Sequence, residues 1–192
     1  YIIKNLIKSI KIFYIFINFI NILITNSYDS FLDNKIIRYY GAIYVANDLC
    51  GLFMGKSLPR STKLHHIISV LLYSIVCYFD INKYIIVRMI IIYTIFSFIP
   101  FSVNSFLALR FFVKKNSKNK QQIQINNFVE FNRKLAKYIY LITCTINWLI
   151  HIYYFVNKLF YLNLLDYIYF LFLLPIINDD LVLLNWLNKK IL

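Results

Sequence analysis

The sequence predicts an all-α fold, a polytopic membrane helix bundle with about six transmembrane helices. Apolar residues make up 60% of the 192 residues and charged residues only 15%, whereas a soluble domain is about half apolar and a quarter charged. The excess of Ile, Leu, Phe and Tyr lies in long runs, which is typical of membrane spans. Basic residues lie mostly between those runs. We therefore predict a single transmembrane domain over residues 1–192.

Six apolar segments follow one another along the chain. The first has a basic start and no small-residue cleavage site after it, so we expect a span and not a signal peptide. The fourth contains Pro100, which we expect to kink or break its helix. The one long polar connection, residues 114–134, is predicted to be a cytoplasmic loop or an interfacial helix on an anionic leaflet. The predicted spans cover residues 10–25, 36–55, 64–79, 84–113, 135–156 and 159–187.

The basic residues predict the orientation. With the N-terminus in the cytoplasm, most of the 21 Lys and Arg residues fall on the cytoplasmic side. The connections on the opposite side are short and contain Asp29, Asp33 and Asp80. The positive-inside rule therefore favours six spans with both termini cytoplasmic, because an odd number would place Lys189 and Lys190 on the other side.

The net charge of +13 does not indicate nucleic-acid binding, because no basic region is large enough to fold separately. We expect the basic clusters to meet anionic lipid headgroups, which makes membrane lipids the predicted partners. The three cysteines, Cys50, Cys77 and Cys144, sit in separate apolar runs without metal-ligand spacing. We predict buried structural thiols, no metal site and no bound cofactor.

Polar residues inside the spans recur on single helical faces, and such residues usually face the bundle interior. The interpretation is a shared polar interior; the alternative is interhelical hydrogen bonding, worth about 0.6 kcal/mol per bond. The aligned sets are Tyr44 and Asp48 in the second span; His66, Ser69, Tyr73 and Cys77 in the third; Ser97, Asn104 and Ala108 in the fourth; and Tyr140, Thr143, Asn147, His151 and Tyr154 in the fifth.

The stretch 41–66 combines close-packing and ionisable residues. Its glycines, Gly41, Gly51 and Gly55, are the only three in the chain, and they share one helical arc with Asp48. The last two form a GxxxG pattern, which lets two helices approach each other.

Asp48, His65 and His66 are the candidate catalytic residues. Asp48 lies about 12 Å of helix below the cytoplasmic end of its span, and the histidines enter the next span from the same side. His66 leads the polar stripe of its helix, while His65 is rotated by about 100°. A carboxylate that orients a histidine is the usual arrangement for a general base and can also form part of a metal site. The alternative is a buried ion-pair network that fixes helix register.

Weaker binding candidates lie at the same depth or on the polar stripes. Two acids in the sixth span precede the C-terminal lysines by about the same helical distance as Asp48 precedes its loop, so they could join its layer. His151 lies nearer the opposite side, where we expect hydrogen bonding within the bundle. The weaker candidates are Tyr73, Arg110, Asn147, His151, Asp179 and Asp180.

The run YVANDLCGLFMGKSLPRSTKLHHIISVLLYSIVCYF, followed by FSVNSFLALRFF, resembles the TLC-domain family of multi-pass membrane proteins. That family includes ceramide synthases and translocon-associated membrane proteins of the endoplasmic reticulum. In ceramide synthases the histidine pair is implicated in acyl transfer from acyl-CoA, which by resemblance implicates His65 and His66 here. No acid lies between Asp80 and Glu130, where ceramide synthases carry acids, so the resemblance implies the family and not ceramide synthesis.

Three functions remain open at this point. The first is a lipid-related TLC-type protein of an internal membrane such as the endoplasmic reticulum, engaged in lipid synthesis, acyl transfer or lipid sensing. As an acyltransferase it would use His66 as base, Asp48 to orient it and acyl-CoA as co-substrate. The second is a non-catalytic receptor, chaperone or scaffold with a membrane-protein partner and a structural polar layer. A transporter is a weaker third, because the sequence shows no inverted repeats.

Overall fold

The computed structural model describes residues 2–24, 34–54, 58–80, 83–113 and 119–189. All regular secondary structure in these ranges is helical, which confirms the predicted all-α fold. The elements are α1 (Ile2–Ile24), α2 (Asn34–Met54), α3 (Arg60–Tyr78), α4 (Ile85–Phe98), α5 (Phe101–Leu109), a 3₁₀ turn (Arg110–Phe112), α6 (Lys120–Lys158) and α7 (Leu164–Asn188).

Within the described residues, three segments are long and apolar enough to cross a membrane. They are Ile85–Phe112, which combines α4, α5 and the 3₁₀ turn, together with α6 and α7. A segment of this length and composition matches the roughly 30 Å hydrocarbon core of a bilayer. The structure is therefore that of a helical protein whose described residues include three segments long and apolar enough to span a membrane.

The predicted break at Pro100 is present. Helix α4 ends at Phe98 and α5 begins at Phe101, with Pro100 between them. Proline has no amide hydrogen and its ring clashes with the preceding turn, so the helix is interrupted there. Pro175 behaves differently, because it lies inside an α7 that continues without interruption.

The segment expected to be a polar loop is helical from residue 120. Asn119 caps the N-terminus of α6, and residues 120–134 form its first part, continuous with the predicted span. This part of the chain is helical because one of its faces is buried. Val129 and Ala136, on that face, pack into a core cluster with residues of α5 and α7. Residues 114–118 lie outside the described ranges. Over its described part this segment is therefore a helix and not a loop.

The last helix begins later than predicted, after a turn that follows α6. We predicted a start at residue 159, but α7 begins at Leu164. The reason is a capping box in which the Asn163 side chain accepts from the Asp166 amide at 3.0 Å and the Asp166 carboxylate accepts from the Asn163 amide at 3.0 Å. Asp166 is also held by the Tyr154 hydroxyl at 2.7 Å and by Lys158 Nζ at 3.2 Å.

Packing joins the helices into one bundle. Helix α1 lies against α5, α2 against α3, α3 against α7, and α6 against α4, α5 and α7. A core cluster fills the space between α3, α4, α6 and α7, and a second cluster lies between α5, α6 and α7. The polar stripe of α6 faces inward, as predicted. Its buried members are Tyr140, Thr143, Asn147 and His151.

One glycine marks a close contact between α2 and α3. A Cβ atom on Gly41 would lie 2.8 and 2.9 Å from two ring carbons of Tyr73, so the α3 ring occupies the space that any larger residue would need. Gly51 is buried, while Gly55, the second glycine of the GxxxG pattern, lies outside the described residues.

The cysteine prediction is correct for one thiol only. Cys144 is buried, but Cys50 and Cys77 are exposed on α2 and α3. These two side chains lie on helix faces that no other described helix covers, so the prediction of buried thiols is wrong for them.

Candidate functional site

Four helices contribute to a single polar layer, which we define as Lys8, Asp48, His65, His66 and Asp179. Lys8 comes from the N-terminal part of α1, Asp48 from the C-terminal part of α2, the histidines from the start of α3, and Asp179 from the C-terminal part of α7. The layer therefore lies between four helices, nearer the N-terminal ends of α1 and α3 and the C-terminal ends of α2 and α7.

Asp48 is the most deeply buried member, with 1% of its surface exposed. Its Oδ1 atom lies 3.1 Å from His66 Nδ1 and 3.4 Å from Lys8 Nζ. These contacts supply the partners that a carboxylate needs in an apolar interior. Its other oxygen, Oδ2, is buried and has no hydrogen-bond partner among the described residues. That oxygen is therefore a buried acceptor that no described residue satisfies.

His65 makes a second, separate pair. Its Nδ1 atom lies 3.2 Å from Asp179 Oδ2, and the Thr62 hydroxyl donates to Asp179 Oδ1 at 3.0 Å. Because successive residues of a helix point about 100° apart, His66 turns toward α2 while His65 turns toward α7. The rotation that set His65 apart in the sequence thus gives it a different carboxylate.

The two imidazoles are neighbours with matching environments. Their ring centroids are 5.7 Å apart at an interplanar angle of 75°, and the side chains of His65 and His66 are 16% and 14% exposed. In each ring Nδ1 lies within ion-pair distance of a carboxylate oxygen, but neither Nδ1 atom is aligned for a hydrogen bond to a described residue. The layer therefore places each imidazole beside a carboxylate, the two groups from which a histidine general base is built.

Asp180 serves a different purpose from its neighbour. Its carboxylate accepts from the hydroxyls of Tyr93 and Tyr140 at 2.6 Å each and from Trp148 Nε1 at 3.4 Å. The tyrosines come from α4 and α6, so Asp180 fastens α7 to both helices. Of the two acids predicted to join the layer, Asp179 does so, whereas Asp180 accepts its hydrogen bonds from side chains of α4 and α6.

The remaining candidates lie elsewhere in the bundle. His151 is 1% exposed, and its Nδ1 and Nε2 atoms contact the backbone carbonyls of Asn147 at 2.7 Å and Met89 at 3.2 Å. Tyr73 donates to the Arg38 carbonyl at 2.9 Å. These contacts are internal to the bundle, as expected for His151.

Arg110 and Asn147 also lie outside the layer. The Arg110 guanidinium stacks over the rings of Phe111 and Trp186, each at 5.0 Å, near the C-terminus of α7. Asn147 is buried, and its Oδ1 atom has no hydrogen-bond partner among the described residues.

Sequence reasoning missed Lys8 and Thr62 as members of the site's surroundings. Lys8 belongs to the basic start of α1, where a lysine is equally well explained by membrane orientation. The need of a buried Asp48 for a cationic partner could have pointed to a lysine. The sequence does not reveal, however, which helix lies against α2. Among the described residues, no group of three or more His, Cys, Asp or Glu side chains could hold a metal ion.

Comparison with known proteins adds no relative. No protein-family model, curated protein or solved structure matches this chain. The resemblance to the TLC-domain family therefore depends on the residues quoted above, and function has to be argued from the polar layer.

Proposed function

We propose that this chain is a TLC-domain-like integral membrane protein that acts on a membrane lipid at the polar layer. The observation that carries the proposal is the contact of 3.1 Å between Asp48 Oδ1 and His66 Nδ1, with a second His–carboxylate pair beside it. An intramembrane acid and two histidines are costly to bury and usually mark a functional site.

Acyl transfer is the reaction class that best fits this geometry. His66 Nε2 would take the proton from a lipid hydroxyl or amine as that group attacks the thioester carbonyl of an acyl-CoA. The proton then passes to the departing thiolate, and the acyl group remains on the lipid. Asp48 would stabilise the imidazolium formed in between, and its unpartnered Oδ2 could accept a hydrogen bond from the incoming group.

Six spans with both termini cytoplasmic form part of the same proposal. The N-terminal ends of α1 and α3 and the C-terminal ends of α2 and α7 meet at the polar layer. This supports an even number of crossings between α1 and the end of α7. A location in the endoplasmic reticulum or a related internal membrane is proposed from the family resemblance alone.

The test is the lipid profile of cells that express His66→Ala. General-base catalysis contributes about 10²–10⁴-fold to a rate, so a lipid product made by the wild type should disappear while protein abundance stays normal. Asn163→Ala is the matched control, because it weakens the bundle at the opposite end and leaves the layer untouched. An unchanged lipid profile with stable His66→Ala protein would refute the proposal.

A non-catalytic receptor, chaperone or scaffold is the second candidate. One observation favours it: Asp48 links α1, α2 and α3, and Asp179 links α3 and α7, as buried ion pairs that fix helix register would. In this case Asp48→Asn and His66→Ala act through lower thermal stability or loss of a membrane-protein partner. A partner that co-purifies equally with both variants would count against it.

A further inference from the structure

Helix α6 carries an exposed apolar stripe on the side that faces away from the bundle. Its buried face packs against α4, α5 and α7. The other face holds apolar side chains that are 42–62% exposed and that follow one another at alternating steps of three and four residues. Thr145 stands at the one polar position of this spacing. We define the α6 stripe as Phe128, Phe131, Leu135, Tyr138, Ile142 and Leu149.

The spacing of the stripe is that of a contact between two helices. Steps of three and four residues average 3.5, which is the heptad repeat with which α-helices pack side by side. A helix of 3.6 residues per turn that faces only lipid needs no such repeat. The stripe therefore predicts contact with another helix, and no described helix of this chain covers it.

Part of the stripe lies beyond the reach of lipid tails. Helix α6 has 39 residues, about 58 Å, whereas the hydrocarbon core of a bilayer is about 30 Å thick. Because Lys134 and Lys137 are charged, the crossing begins after them, and residues 138–158 match that thickness. Phe128 then lies about 14 Å and Phe131 about 9 Å before Lys137 along the helix. Exposed apolar side chains outside the hydrocarbon mark a contact with protein.

We propose that the α6 stripe binds the α6 stripe of a second copy of this chain, with the two helices parallel. Copies inserted in the same direction are related by a two-fold axis along the membrane normal, which places each stripe residue opposite its own counterpart. Such pairing requires a stripe that is compatible with itself, and no stripe position carries a charge. The inference concerns assembly and does not rest on the reaction proposed for the polar layer.

The residues that flank the stripe also favour a second copy. In a parallel pair, the residue directly before one stripe position lies across from the residue five places later in the other helix. Asn127 of one copy then lies opposite Asn132 of the other, and these amides can donate to and accept from each other. Lys134 lies opposite Ile139, so its aliphatic stem covers an apolar side chain while its ammonium group stays in water. Neither flanking pair brings like charges together.

The exposed area is of the size that a stable pair needs. An aromatic side chain has about 150–250 Å² of surface, so Phe128, Phe131 and Tyr138, which are 57–62% exposed, together offer about 250–450 Å². The aliphatic members of the stripe extend this face toward the about 800 Å² per partner of a standard interface. The part outside the hydrocarbon drives association by removing apolar surface from water, a driving force that helices inside a bilayer lack.

The first measurement is the mass of the purified full chain in detergent, followed over protein concentration by analytical ultracentrifugation. We expect a wild-type dimer. Phe131→Lys places two ammonium groups opposite each other and should raise the dimer dissociation constant by about tenfold or more. Because Phe131 is exposed in the single chain, this variant should unfold at the wild-type temperature. Ile3→Lys, at a side chain that is 73% exposed on α1, is the matched control and should leave the dimer intact.

The second measurement locates the contact in phospholipid vesicles. In a background without native cysteines, Phe131→Cys should form a disulfide-linked dimer on oxidation, and the yield should persist when added lipid dilutes the protein. Ile3→Cys should give only the yield of random collisions, which falls on dilution. A wild-type chain that stays monomeric at every concentration, or equal crosslinking of the two cysteine variants, would overturn the proposal. So would a dimer that Phe131→Lys leaves unchanged.

Discussion

At the scale of single residues, the site depends on two adjacent histidines that reach carboxylates on different helices. The pairing of His66 with Asp48 could be predicted, because both lie on a hairpin and on polar faces of their helices. The pairing of His65 with Asp179 could not be predicted as a specific contact, since it requires α3 to lie against α7. Lys8 was hidden for the same reason: the contact of α1 with α2 is a tertiary feature.

Asp48→Asn tests whether the carboxylate orients the base. The amide keeps the shape but loses the charge that stabilises an imidazolium at His66. By analogy with carboxylates that orient metal-bound histidines, we expect acyl transfer to fall by about 10–100-fold, less than in His66→Ala. Initial rates in vesicles measure the change, and equal rates in Asp48→Asn and wild type would exclude an orienting role for Asp48.

At the scale of helices, composition predicted where helices exist better than where they begin. The break between α4 and α5 was predicted correctly from Pro100, because the loss of a backbone amide hydrogen interrupts a helix whatever its tertiary contacts are. The polar residues 120–134 obscured the start of α6, because their helical face becomes visible only when Val129 and Ala136 are packed against neighbours. The start of α7 depends on a reciprocal cap between Asn163 and Asp166. The apolar residues before that cap made the predicted span begin too early.

Gly41→Ala tests the close approach of α2 and α3. Alanine favours a helix over glycine by about 0.5–1 kcal/mol, but overpacking typically costs about 1–3 kcal/mol. The Tyr73 ring cannot easily move aside, since its hydroxyl is bound to the Arg38 carbonyl. We therefore expect a net loss of stability in thermal unfolding. Ala42→Val, exposed on the same helix, is the control, and a stabilised Gly41→Ala protein would show that the approach is looser.

Asn163→Ala tests the cap of α7. The N-cap side chain satisfies an otherwise unpaired amide, so its removal should destabilise the protein by about 0.5–2 kcal/mol. Asn157→Ala is the matched control, because that exposed side chain only donates to the Tyr153 carbonyl within α6 at 2.9 Å. Equal unfolding temperatures for the two variants would argue that the cap contributes nothing to stability.

At the scale of the whole molecule, the polar layer fixes which helix ends share a side. The start of α3 and the end of α7 lie on the side of the polar layer, and the α6–α7 turn lies at the opposite end of the bundle. We predict that a single cysteine at residue 63, in a background without native cysteines, reacts with a membrane-impermeant maleimide from the cytoplasmic side. A cysteine at residue 163 should react only from the other side. Labelling of both from one side would contradict the proposed topology.

The central claim, that the polar layer performs acyl transfer on a membrane lipid, is tested most directly with purified protein. Vesicles containing the full chain and long-chain amines or alcohols are supplied with labelled acyl-CoA, and the lipid product is measured. The account predicts product with wild type and with Asn163→Ala, and a rate lower by about 10²–10⁴-fold with His66→Ala. A His66→Ala protein that unfolds at the wild-type temperature and retains the wild-type rate would contradict it.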